Sequence, residues 1–195
     1  MALNVGIKGG TRILENLRRI QRQLGSGSGV RIGYLENATY DDGTPVAYIA
    51  AVNEWGATIE REPYEQTITR SVNLKTGAFN KMGKFVKAGK GNYQTTHHVG
   101  EYTIKIPARP SFRTMISTYS PEWGGNMAKL LRNNNYDGIK CLGLMGARIK
   151  GQLQQTIVEF KDPPNAPSTI AQKGFNDPLI WSNHMRNSVD YEVLL

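Results

Sequence analysis

The 195-residue sequence predicts an α+β protein: a small antiparallel sheet packed by helices, with an inserted β-hairpin arm. Three patterns predict it. Between Thr11 and Leu24, and again between Ile139 and Phe160, apolar residues recur at the spacing of a helix with one buried face. At Val30 to Tyr34 and at Ser188 to Leu194 they alternate with polar residues or glycine, as half-buried strands do. From Ala57 to Lys105 the chain turns to Thr, Tyr, Val and Ile broken by Gly and Asn, the composition of hairpins. That span is too long for a structureless connection inside a compact domain. The length suits one domain with a large insertion, so residues 1–58 and 106–195 are read as the core and 59–105 as a basic β-hairpin arm.

In chain order, the first helix carries Ile13, Leu14, Leu17, Ile20 and Leu24 on one side and Arg12, Arg18, Arg19 and Arg22 largely on the other. Gly25-Ser26-Gly27-Ser28-Gly29 is a flexible connector to the first strand. Asp41-Asp42-Gly43 reads as a turn, Thr44 as an N-cap and Pro45 as the first residue of a second helix. That helix packs through Val46, Ile49, Ala50 and Val52 to Trp55 and stops at Gly56. Thr67-Ile68-Thr69 and Tyr102 to Ile106 are the clearest strands of the arm. Pro107 and Pro110 then hold the backbone extended until Ser111 caps a helix beginning near Phe112. Ser120-Pro121-Glu122 resembles a fresh cap and first turn, so this helix is expected in two pieces, broken near Tyr119.

Asp137 caps the strongest helix, whose face is Ile139, Leu142, Met145, Ile149, Leu153, Ile157 and Phe160. Gly138, Gly143, Gly146 and Gly151 each weaken it by about 1 kcal/mol, a cost most easily offset where another segment packs closely. Pro163-Pro164 ends it, and Pro167 to Ala171 starts a short helical turn before the final strand.

Composition restricts the function classes. Hydrophobic residues make up 39% and charged residues 21%, within the range of chains that fold. No apolar run is long enough for a membrane span and the start lacks a secretory layout, so no membrane partner is expected. The single Cys141 can form no internal disulfide and fits a reducing cytosol. The net charge is +8, and much of the excess is local: from Gln66 to Gly100 there are six bases, Arg70, Lys75, Lys81, Lys84, Lys87 and Lys90, and no Asp or Glu. Interleaved with Phe79, Phe85 and Tyr93, they suit phosphates and stacked bases, so a basic, sequence-nonspecific nucleic-acid-binding module is one reading. The plainer reading is a solvated arm whose lysines blunt exposed strand edges.

Nothing marks an enzyme. His97 and His98 are neighbours in a strand and point to opposite faces, and no zinc spacing accompanies them or His184. Asp41-Asp42-Gly43 lacks the remaining ligands of a calcium loop. Glu54 stands without a second catalytic group and reads as solvated or paired with a base such as Arg109. Cys141 reads as a small packing residue, and phosphate-cradling glycine loops and the GxSxG elbow are missing. No metal and no cofactor is expected.

Four segments in order carry a likeness: Val30-Arg31-Ile32-Gly33-Tyr34; Pro45 to Gly56, ending Asn53-Glu54-Trp55-Gly56; Ile106-Pro107-Ala108-Arg109-Pro110-Ser111-Phe112; and Pro163 to Gly174 with Pro178 to Val189. Together they resemble the neck and tail-completion (head-tail joining, minor tail component) proteins of tailed bacteriophages. Ser111 is an insertion relative to that family's proline corner, and Asn183 stands where glycine is customary; asparagine is the next-best residue for a left-handed backbone. The likeness does not cover Ile59 to Lys105. It implies a structural virion protein, assembled in the host bacterial cytoplasm, that forms a homo-oligomer, a hexameric ring, in the neck or head-proximal tail. Its partners would be neighbouring neck, tail-terminator or tail-tube proteins.

Contacts with copies or partners are expected at Ile59, Thr67, Ile68, Tyr102, Ile104, Arg109, Trp181 and Arg186, with the arm reaching a neighbour by strand addition. Alternatively Arg70, Lys75, Lys81, Lys84, Lys87 and Lys90 face DNA in the channel and meet phosphate without reading sequence.

Overall fold

A computed structural model describes residues 10–80, 84–87 and 89–195. In chain order the elements are α1 (Gly10–Gln23), β1 (Gly29–Tyr34), α2 (Val46–Trp55), β2 (Ala57–Arg61), β3 (Tyr64–Arg70), β4 (Tyr93–Val99), β5 (Tyr102–Ile106), α3 (Ser111–Asn133), α4 (Gly138–Glu159), α5 (Pro167–Lys173), α6 (His184–Asn187) and β6 (Val189–Leu194). The class is α+β. The chain forms two units, one from the residues up to Gly56 together with Pro107–Leu195, the other Ala57–Ile106.

In the first unit α4 is the spine. Asp137 accepts a hydrogen bond from the Lys140 amide, which satisfies one orphan N–H of the first turn. The buried face is Cys141, Met145, Ile149, Leu153 and Ile157, joined by Val46 and Ala50 of α2, Met115 of α3, and Leu179, Met185 and Val189 from the C-terminal segment. Ile139 was expected on this face but is exposed, and Cys141 takes its place with no exposed surface.

β1 pairs antiparallel with β6, from Gly29 opposite Leu194 to Tyr34 opposite Val189, and this ribbon lies on α4. Gly146 permits the contact: a Cβ there would meet the Tyr191 ring at 2.3 Å and Val30 Cγ1 at 2.8 Å. At Gly138 a Cβ would meet Leu24 at 3.0 Å, whereas Gly143 and Gly151 face open space. The glycines of α4 therefore serve close packing at two positions and leave two unexplained.

As the sequence predicts, a small antiparallel sheet, β1 with β6, is packed by helices, and the arm's strands pair among themselves. Two expectations need correction. The helix expected to break near Tyr119 is continuous through Pro121. Proline costs it one backbone bond, but Phe112, Met115, Tyr119, Trp123, Met127 and Leu130, at helical spacing, all pack on the core, and a break would lift part of that face away. Finally, Thr44 does not cap α2. Its amide instead bonds Asp42 Oδ1 within the turn at Gly43 (φ 82°), and Pro45 occupies the cap position without a side-chain bond.

The second unit is one long two-stranded ribbon. β2 pairs with β5 (Ile59 opposite Ile104) and β3 with β4 (Thr67 opposite Thr96, Ile68 opposite Thr95), and the register carries on unchanged across the break at 62–63 and 100–101. Near its tip, Thr69 is buried and the guanidinium of Arg70 lies over Phe79 and Phe85, donating to Thr95 Oγ1. Gly91 is obligatory there, since a Cβ would fall 2.4 Å from the Arg70 carbonyl oxygen.

Candidate functional site

The first candidate is the corner where α2 ends and α3 begins. The end of α2 and the start of α3 meet there because Gly56 stops α2 with φ 74° and the Pro107–Pro110 segment returns the chain beside it. The Arg109 amide donates to the Asn53 carbonyl. Glu54, only 6% exposed, accepts from the amides of Phe112 (3.0 Å) and Arg113 (3.1 Å) at the start of α3. It also accepts from Arg113 Nε, while Arg113 Nη2 donates to the Glu54 carbonyl and the guanidinium stacks 4.3 Å from the Trp55 ring.

Glu54 is thus a cap supplied from another element. It satisfies two orphan amides at the positive end of the α3 dipole, where a carboxylate is most favourable. Ser111, expected as the cap, is instead the first helical residue and makes no such bond. The ion-pair partner is also corrected: Arg113 holds Glu54, not Arg109. Arg109 is 8% exposed and turns away, donating from Nε to the Pro163 carbonyl and from Nη2 to the Pro164 carbonyl. Burial draws its guanidinium below the ordinary arginine value. Tyr34 closes the corner, edge-on to Phe112 at 6.0 Å. Burial, then Tyr40 and Glu54, push its phenol well above the usual range.

With both oxygens of Glu54 engaged, the corner has the chemistry of a fastener. Among the described residues no group of three or more His, Cys, Asp or Glu could hold a metal ion, and no helix is long and apolar enough to cross a membrane. No family model, curated protein or solved structure matches this chain.

The second candidate is apolar surface. An open groove of about 520 Å³ runs between β1, α3 and α4, lined among others by Val30, Ile32, Ile116, Trp123, Met127 and Leu142. Helix α1 buries no residue, and Ile13, Leu14 and Leu17 are 55%, 55% and 56% exposed. Large unpartnered apolar surface of this kind marks interaction sites.

The expected contact residues are dispersed. Ile59 and Ile68 are half-buried on the ribbon, Thr67, Tyr102 and Ile104 exposed; Trp181 is exposed and Arg186 half-buried, both in the C-terminal segment. Arg109 is internal. Of the basic set, Lys75, Lys84, Lys87 and Lys90 are exposed, Arg70 is held between aromatic rings, and Lys81 lies outside the described residues. Sequence reasoning missed Arg113 and the α1–groove surfaces. The signal for Arg113 was its place in the first turn after the proline corner, and for α1 a full apolar stripe on a helix joined to the core by glycine and serine.

Proposed function

We propose that this chain is a structural subunit of a tailed-phage virion, forming a homo-oligomeric ring in the neck or head-proximal tail and catalysing no reaction. The observation that carries the reading is the corner. Segments that carry the resemblance, Asn53-Glu54-Trp55-Gly56, Arg109-Pro110-Ser111-Phe112 and Pro163-Pro164, converge there and lock one another through Asn53, Glu54 and Arg109. A likeness confined to unrelated surface positions would not have this property. Exposed apolar surface on α1 and in the groove supports assembly as the activity.

In this reading the subunit assembles in the host cytoplasm and remains in the virion beside neck, tail-terminator or tail-tube proteins. The ribbon of the arm, two-stranded and open at both edges among the described residues, is suited to strand addition onto a neighbour. Sedimentation of the purified protein and mass spectrometry of purified particles test the proposal. A ring-sized species and the chain's peptides in the particles are expected; a monomer at every concentration, absent from particles, refutes it.

The exposed Lys75, Lys84, Lys87 and Lys90 favour a second reading, nonspecific contact with DNA. Its sign would be duplex binding that weakens steeply with salt and is lost when these four lysines are replaced by glutamine.

A further inference from the structure

We infer that α1 of one copy seats in the apolar groove between β1, α3 and α4 of the next, so that neighbouring subunits are joined by a donated helix. The inference rests on the ring reading and names the contact that builds it. The occupant is a second copy of this chain.

The argument starts from α1 itself. Its apolar stripe runs from Ile13 to Leu24, and the two ends are treated differently. At the C-terminal end Leu24 packs on Gly138, Gln23 Oε1 accepts from the Gly138 amide at 2.7 Å, and Arg19 donates to the Asn135 carbonyl at 2.7 Å. At the N-terminal end Ile13, Leu14 and Leu17 continue the stripe with more than half their surface open. A helix rises about 1.5 Å per residue, so with Arg19 and Gln23 anchored Ile13 stands about 9 Å beyond the nearer anchor. Held by these anchors, α1 leaves Ile13, Leu14 and Leu17 uncovered by its own groove.

The groove matches what the stripe needs. Its lining is apolar on all three sides, and Ile116 in it is itself 47% exposed. Laying the apolar face of an amphipathic helix into such a groove is an established binding mode with anchors three, four and seven residues apart, the spacing of Leu14 to Leu17, Ile13 to Leu17 and Ile13 to Ile20. Charge is complementary: Glu122, next to Trp123 on α3, is exposed, and among the described residues its ion pair is a long 3.9 Å contact with Arg148. It is available to Arg12 or Arg18, which flank the stripe. Donor and acceptor surfaces differ, so the contact is heterologous and repeats head to tail until the ring closes. One helix in one groove is smaller than the ~800 Å² per partner of a standard interface, and closure lets every subunit make two such contacts.

The test pairs two measurements. Leu17→Glu alters an exposed residue, so folding is retained by far-UV circular dichroism. Sedimentation should then show the concentration for half-assembly raised at least about ten-fold over wild type. Leu14→Cys with Ile116→Cys, oxidised mildly, should give a ladder of disulfide-linked multimers on a non-reducing gel, each single variant giving none. An intact ring with Leu17→Glu, or a bond only within one chain, overturns the inference while the ring reading stands. The same holds for an intact ring in which the double variant forms no bond, with another protein left to occupy the groove. A wild-type protein that sediments only as a monomer overturns the ring reading as well.

Discussion

Replacing Gly146 by alanine tests the packing of α4 most directly. In an isolated helix the change would be favourable by about 1 kcal/mol, because glycine loses more backbone freedom on folding. Here the new methyl would stand 2.3 Å and 2.8 Å from two Tyr191 ring carbons and 2.8 Å from Val30 Cγ1. All are far inside van der Waals contact. The ring belongs to β6 and the valine to β1, so relief requires both side chains to give way or the ribbon to shift from α4. Overpacking of this kind costs about 1–3 kcal/mol, and contact this close belongs at the upper end. After the propensity gain the net loss is about 1–2 kcal/mol. Gly151→Ala on the same helix meets nothing within 4 Å and should gain about 1 kcal/mol. Urea unfolding should therefore separate the two variants by about 2–3 kcal/mol, or about 5–10 °C in Tm for a chain of this size. If Gly146→Ala is as stabilising as Gly151→Ala, the close approach of the ribbon to α4 is wrong.

Three further outcomes follow from the geometry. Glu54→Ala removes the acceptor for two α3 amides and leaves Arg113 without its carboxylate; a loss of about 2–3 kcal/mol is expected in denaturant unfolding, and a loss under about 0.5 kcal/mol would refute the capping role. Burial, then Asp137, push the Cys141 thiol up, so at neutral pH it is protonated as well as enclosed, and a thiol reagent should modify it only after unfolding; rapid labelling of native protein contradicts this. The Lys150 hydrogen bond, with the Tyr191 amide, holds the Asp190 carboxyl below its ordinary 3.8. The folded state therefore binds that proton less readily, and this contribution is complete above about pH 4 and lost as pH falls through the lowered value. Asp190 is half exposed, so Asp190→Asn should cost under about 1 kcal/mol at pH 7 and show no deficit near pH 2.

The sequence made parts of the fold legible for identifiable reasons. The Asp137 cap and the stripe of α4 are local patterns; the cap and the stripe from Met145 to Ile157 appear where spacing places them, while Cys141 stands in for Ile139. Asn183 adopts the left-handed conformation expected of it, with φ 61°. The continuous α3 was also present in the spacing of Phe112, Met115, Tyr119, Trp123, Met127 and Leu130, but Pro121 carries a local signal of a break. Burial of that face outweighs one lost backbone bond, a comparison available only once the face has something to pack on.

The candidate site was less legible. Glu54 and Arg109 could be singled out as unusual, but their pairing could not, because it depends on how the proline corner returns α3 to the end of α2. The choice of Arg113 over Arg109 as partner is decided by a few ångströms of tertiary geometry. Likewise, glycines of equal appearance on α4 divide into Gly138 and Gly146, which admit Leu24 and Tyr191, and Gly143 and Gly151, which admit nothing.

By itself, then, the sequence determined the α+β class, the position of most helices and strands, and the location of the basic insert, since period, caps and turn residues act over a few neighbouring positions. Only the tertiary structure decided that α3 borrows its cap from α2, and that α1 leaves part of its stripe exposed while a groove stands open. Those outcomes depend on contacts between residues far apart in the chain, where burial and hydrogen-bond satisfaction over the whole molecule override each local preference.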